Sequence, residues 1–159
     1  MSSPPVRLGL ISDTYGLLRP GVFERFHGVL RILHAGDVGG EHILRELEAI
    51  APVTAVYGNT DGWELRRRLP EVARVEEAGR RIVVVHGHVP GSPTPARLAA
   101  AHPDADIVVY GHTHQPKIER VGRTLVLNPG AAGPARFKLK PSVALLVLGE
   151  DEQVEVLEL

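Results

Sequence analysis

Cysteine is absent from the 159 residues, which excludes disulfides, thiolate metal sites and a cysteine nucleophile. No apolar run reaches the length of a membrane span. The start, Met-Ser-Ser-Pro-Pro, lacks a basic stretch followed by an apolar one, so no secretory signal is read and a cytoplasmic chain is expected. Charge of one sign is also missing. Eighteen basic residues face nineteen acidic ones, a formal net charge of −1, so nothing draws the whole chain to nucleic acid or an anionic membrane. Aromatics make up 4%, too few for an aromatic cage or a base-reading set. Lysine is limited to Lys117, Lys138 and Lys140, a bias we attribute to a GC-rich genome. What remains, 43% hydrophobic and 23% charged, is the composition of a globular protein. The length suits one domain, 1–159.

The apolar runs are short and regularly placed. Val6 to Ile11 ends in Ser12-Asp13, and Val29 to Leu33 ends in His34-Ala35-Gly36-Asp37. Pro52 to Tyr57 ends in Gly58-Asn59-Thr60-Asp61, Arg81 to Val85 in His86-Gly87-His88, and Asp106 to Tyr110 in Gly111-His112-Thr113-His114. Apolar throughout and bounded by glycine, these are strands buried on both faces. Between them, Glu41 to Ile50 carries a helical stripe at Ile43, Leu44, Leu47 and Ile50. Pro95 to His102 is a second helix, stopped by Pro103, and Gly21 to His27 a shorter one. Beyond residue 115, Lys117 to Val121, Arg123 to Leu127, Ser142 to Leu148 and Gln153 to Leu159 read as strands, expected to form a β-meander. The class is α/β, with βα units first and antiparallel strands after.

Five successive strands thus end in Asp, Asn or His. In α/β sheets the carboxyl ends of the strands are where loops converge on a ligand. Each cluster alone has a bland reading: Ser12-Asp13 as a helix cap, Gly36-Asp37 and Gly58-Asn59 as turns. Two histidine pairs at i and i+2 are harder to place that way, because such pairs point to one side. Imidazole, carboxylate and amide oxygen without sulfur suit Mn²⁺, Fe or Zn²⁺. The set exceeds what one ion needs, which favours two ions sharing a carboxylate.

In order, Asp13-Thr14-Tyr15, Gly36-Asp37, Gly58-Asn59-Thr60-Asp61, His86-Gly87-His88, Gly111-His112-Thr113-His114 and Asn128-Pro129-Gly130 resemble the motifs of the calcineurin-like metallophosphoesterases. The likeness is to their small bacterial and archaeal phosphodiesterases. It implies a β-sandwich flanked by helices, a four-layer αββα arrangement. It implies two divalent ions, Mn²⁺ first, with Fe, Zn²⁺ and Ni²⁺ as alternatives. Asp37 would bridge them; Asn59, His86 and His112 would hold the second, and Asp13 and His114 the first. The expected activity is hydrolysis of a small phosphate ester, a diester before a monoester, by a bridging hydroxide attacking phosphorus in line. Asp37, Asn59 and His88 carry the catalytic assignments. Asn59 and His88 also meet substrate, with Arg19 and Arg136 as further phosphate contacts.

Two positions depart from the pattern. Tyr15 stands where the family has histidine, so the first ion is held by a phenolate, or is held weakly and completed by water. Thr60 stands where many relatives have a histidine able to assist the leaving group. Two other readings compete: a metal-degenerate binding scaffold of the same fold, and a mononuclear hydrolase. Trp63 packs in the core or lines the site, and Arg66-Arg67-Arg68 is a solvated helix face, with phosphate steering as the alternative. A homo-oligomer is compatible with all of this; a membrane or nucleic-acid partner has no signal.

Overall fold

The computed structural model describes residues 4–89, 91–135 and 138–159. Among these residues, ten strands form two five-stranded sheets. The first holds β1 (Val6–Ile11), β2 (Arg31–His34), β3 (Val53–Ala55), β9 (Ser142–Leu148) and β10 (Glu152–Glu158) in the order β10-β9-β1-β2-β3. The second holds β4 (Val72–Glu77), β5 (Arg80–Val85), β6 (Ile107–Val109), β7 (Lys117–Val121) and β8 (Thr124–Asn128) in the order β4-β5-β6-β8-β7. Helices α1 (Gly21–Arg25), α2 (Glu41–Glu48) and α3 (Trp63–Arg68) belong to the first sheet's half, and α4 (Pro95–Ala101) to the second's.

Alternation along the strands builds the layers. Leu8 and Leu10 of β1 meet Ile82 and Val84 of β5 between the sheets, while Ile11 packs outward with the α2 residues Ile43, Leu44 and Leu47. Val83 and Val85 of β5 face the other way, onto Leu98 of α4. Both faces of each sheet are therefore covered, which is why these strands read as apolar throughout. The αββα expectation holds.

The expected C-terminal meander does not form. β7 and β8 make an antiparallel hairpin in the second sheet, where β8 also pairs parallel with β6. β9 and β10 make another in the first sheet, beside β1. β8 is buried at every residue, so it needs neighbours on both sides, and β6 and β7 supply them. The chain changes sheet around Asn128-Pro129-Gly130: the Gly130 N–H donates to Asn128 Oδ1, and Ser142 Oγ donates to the Pro129 carbonyl. The sequence pattern also passed over β4, an edge strand whose exposed face carries Arg74 and Glu76, so that it has no continuous apolar run. Among the described residues no helix is long and apolar enough to cross a membrane.

Candidate metal centre

β1, β2 and β3 are mutually parallel, as are β5, β6 and β8, so their carboxyl ends gather at one edge of the sandwich. The first sheet delivers Asp13, Asp37 and Asn59 there, and the second delivers His86, His112 and His114. Backbone bonds tie the loops beyond the strands: Asp13 N–H to the Gly36 carbonyl, Tyr15 N–H to Asp37, Gly111 N–H to His86. Close approach is possible because Gly58 and Gly111 have no Cβ; one at Gly58 would collide with Asp37 Oδ1, and one at Gly111 with Ser12 Oγ. Of the described non-glycine residues with positive φ, all but Ala78 lie here: Asp13, Tyr15, Asp37, His112 and His114. Left-handed backbone at such residues costs free energy, and the tied loops hold it at one place.

At the centre, ligand atoms of Asp13, Asp37 and His86 lie within 4.8 Å of one another, and all three residues are buried. His86 Nδ1–H donates to the Ala35 carbonyl at 2.8 Å, which leaves Nε2 as the free lone pair. Nε2 is 3.2 Å from Asp37 Oδ2 and 3.9 Å from Asp13 Oδ1, aligned with neither, and is buried without a hydrogen-bond partner. A buried imidazole nitrogen that faces two carboxylates without a well-aligned hydrogen bond to either is what a divalent cation would complete. The donor set fits the ions that the sequence implied.

The carboxylates are oriented as well. Asp13 Oδ2 accepts from Ser12 Oγ at 2.6 Å and from the His112 N–H at 3.2 Å, which leaves Oδ1 toward His86 and His114, the latter 3.5 Å away. Asp37 Oδ1 accepts from the Thr60 N–H at 2.9 Å. Burial works to raise the Asp37 carboxyl, but the His86 imidazole and the Thr60 N–H outweigh it and hold it well below the usual carboxylate range. Burial likewise works to lower His86, and Asp37 and Asp13 outweigh it and raise it. A cation must displace that proton, so metal affinity weakens as pH is lowered. His112 is lowered by burial and by His86; its Nδ1 lies 3.2 Å from Asn59 Oδ1.

Tyr15 reaches the same place. Its hydroxyl is 2.6 Å from His114 Nε2 and 3.4 Å from Asp13 Oδ1, between the two residues that the resemblance gives to the first ion. His88 sits one step out, its ring 5.4 Å from that of His86 and 6.0 Å from that of Tyr57; burial and His86 lower its pKa. Arg19 Nε donates to the Gly133 carbonyl at 3.0 Å. Arg136 lies outside the described residues. Trp63 does not pack in the core: it is 68% exposed, with the Arg67 guanidinium 4.5 Å over its ring. The arginine run is not merely a solvated face, because Arg66 donates to the Asp61 and Asn59 carbonyls at 2.7 and 3.0 Å.

Two residues without an assigned role organise the loops. Asp61 is buried and accepts from the N–H groups of Val38, Gly39 and Gly58, joining the turn after β2 to the turn after β3. Its place three residues after Gly58 was the available signal. His34 Nδ1 accepts from the Gly36 N–H, so its Nε2–H donates to Thr14 Oγ1, which donates to the Val38 carbonyl. Burial lowers His34 from 6.5 to about 4. The unfolded chain takes up that proton first, so the stability contributed by neutral His34 is complete above pH 6.5 and lost as pH falls toward 4. The loss amounts to about 3 kcal/mol. NMR titration of the metal-free protein checks it: the His34 ring should stay neutral where an ordinary histidine is half protonated, and a midpoint near 6.5 would contradict the burial argument.

The family model described as calcineurin-like phosphoesterase superfamily domain matches residues 6–151. A probable metallophosphoesterase of Methanothermobacter thermautotrophicus is 35% identical over 161 aligned positions, 94% of this chain and 91% of that one. A solved archaeal phosphodiesterase superposes with a TM-score of 0.80 at 27% identity, covering 97% of this chain and 100% of the other. Vacuolar protein sorting 29 from Cryptosporidium parvum superposes with a TM-score of 0.82 over 99% of each chain. At 23% identity, that last likeness is one of fold.

Proposed function

The chain belongs to the calcineurin-like phosphoesterase superfamily, and from its site we propose that it is a metal-dependent phosphoesterase acting on phosphodiesters in preference to monoesters. The observation that carries this reading is the buried His86 Nε2, without a hydrogen-bond partner, facing the Asp37 and Asp13 carboxylates. We assign Asp37 as the carboxylate shared by two ions, with Asn59, His86 and His112 on the second, and Asp13 and His114 on the first. When bound, the divalent ions, Mn²⁺ in our reading, supply positive charge that draws in the phosphate and acidity that makes water nucleophilic for in-line attack.

The chain's own residues do the rest. Ser12 and the His112 N–H fix one Asp13 oxygen, and the Thr60 N–H fixes one Asp37 oxygen, so neither carboxylate reorients during turnover. Asn59, exposed beside His112, offers its amide to a phosphate oxygen. His88, lowered by burial and by His86, is a neutral imidazole at neutral pH that positions the ester or passes a proton to the leaving oxygen. Arg19 is the remaining phosphate-facing candidate.

A one-ion enzyme is the second reading, and the Tyr15 hydroxyl beside His114 and Asp13 favours it. The test is hydrolysis of bis(p-nitrophenyl) phosphate against p-nitrophenyl phosphate, with metal content measured in parallel. Activity should vanish with chelator and return with Mn²⁺, the diester being turned over faster. Hydrolysis that survives verified metal removal refutes the proposal.

A further inference from the structure

On its outer side, the site edge of the second sheet opens into a cleft of about 200 Å³. The apolar part of its lining comes from Val72 of β4, Val85 of β5, Leu98 and Ala101 of α4, and Val89 and Pro93 between β5 and that helix. Its charged groups, Glu71 and Arg97, are exposed and opposite in sign, and Arg97 donates to the Ser92 carbonyl at 3.2 Å. The remaining wall is the His86-Gly87-His88 turn. Strand alternation explains the juxtaposition. Val84 faces the core between the sheets, Val85 faces α4, and His86 reaches Asp37. One turn therefore carries a proposed metal ligand on one side and borders an apolar cleft on the other. At the far end, burial keeps His102 below its ordinary value, an uncharged ring at neutral pH.

We propose that this cleft receives an apolar arm of the ester, a short alkyl chain or an aryl ring, while the phosphate sits at the centre formed by Asp37 and His86. The proposal rests on the phosphoesterase reading and narrows its substrate class to phosphodiesters with a hydrophobic substituent. An apolar arm gains by leaving water for Val72, Val85 and Leu98. A polyhydroxylated arm such as a sugar would be desolvated against the same side chains with few hydrogen-bond partners in return.

The test uses p-nitrophenyl phosphodiesters whose second ester group is methyl, propyl or hexyl. The leaving group is common to all three, so chemical reactivity changes little along the series. Each fully buried methylene is worth about fourfold, and KM should fall at least about tenfold from methyl to hexyl. Ala101→Trp, on the exposed last turn of α4, places a ring in the cleft, and the methyl-to-hexyl difference should shrink to about twofold or less. Equal KM values across the series in the wild type overturn the cleft and leave the phosphoesterase reading standing. Should no diester be hydrolysed, the phosphoesterase reading fails instead, and binding decides the cleft. Hexylphosphonate should then shift the His102 ring signals in NMR where methylphosphonate does not; equal shifts, or none, overturn it.

Discussion

Asp37→Asn is expected to lower turnover of a phosphodiester by at least about a thousandfold, about 4 kcal/mol on the barrier. Asparagine has the shape of aspartate and can still accept from the Thr60 N–H that now bonds Oδ1 at 2.9 Å. Packing is therefore kept and charge is what changes. The residue is buried beside His86, 3.2 Å from Nε2, where a lost negative charge has no solvent to replace it. The carboxylate is also held ionised by His86 and Thr60 against its own burial. In the proposed two-ion centre an amide would offer no charge to offset the mutual repulsion of the cations. The measurement is kcat at saturating Mn²⁺ with metal content determined on the same sample, and far-UV circular dichroism confirming the fold. Near wild-type turnover at full metal loading would remove Asp37 from the shared position.

Tyr15→His should raise the number of ions held per chain, and the affinity of the proposed weaker site by at least about tenfold, the equivalent of one net hydrogen bond. The phenol oxygen lies 2.6 Å from His114 Nε2 and 3.4 Å from Asp13 Oδ1. Those are the atoms through which His114 and Asp13 would hold the first ion, and both are already engaged by the Tyr15 hydroxyl. An ion entering there must displace the hydroxyl or deprotonate it, and a phenol with an ordinary pKa of about 10 resists the second course. Histidine removes the competitor and supplies a nitrogen ligand. Calorimetric titration of Mn²⁺ into metal-free protein should show one tight and one weak or absent event in the wild type, and two tight events in the variant. Two equally tight sites in the wild type, unchanged by the substitution, would refute the weakened first site. The same titration separates a one-ion enzyme from a two-ion one, and both from a scaffold that binds no metal.

What the sequence determined by itself is local. Each of five strands is a short apolar run, and each run ends in a polar cluster a few residues long. Period and turn chemistry act within that range, so the ligand types, their order and the carboxyl-end placement of Asp13, Asp37, Asn59, His86 and His112 were legible before any coordinate. The family motifs added the pairing of clusters into one centre. The rest depended on contacts between residues distant in the chain. The sheet that a strand joins is decided by which partner covers its faces: β8 and β9 look alike as apolar runs, yet one completes the second sheet and the other the first. Asp61 became a positioning residue only when Val38 and Gly39 were brought to it from the loop after β2. Trp63 would suit a core by its hydrophobicity alone, but α3 is short and buries only Leu65, which leaves the indole outside. Tyr15 and His114 are 99 residues apart, and no spacing rule says that a hydroxyl and an imidazole will meet. Their contact is set by the packing of two sheets, because that packing alone fixes the distance between the loops at the ends of β1 and β6.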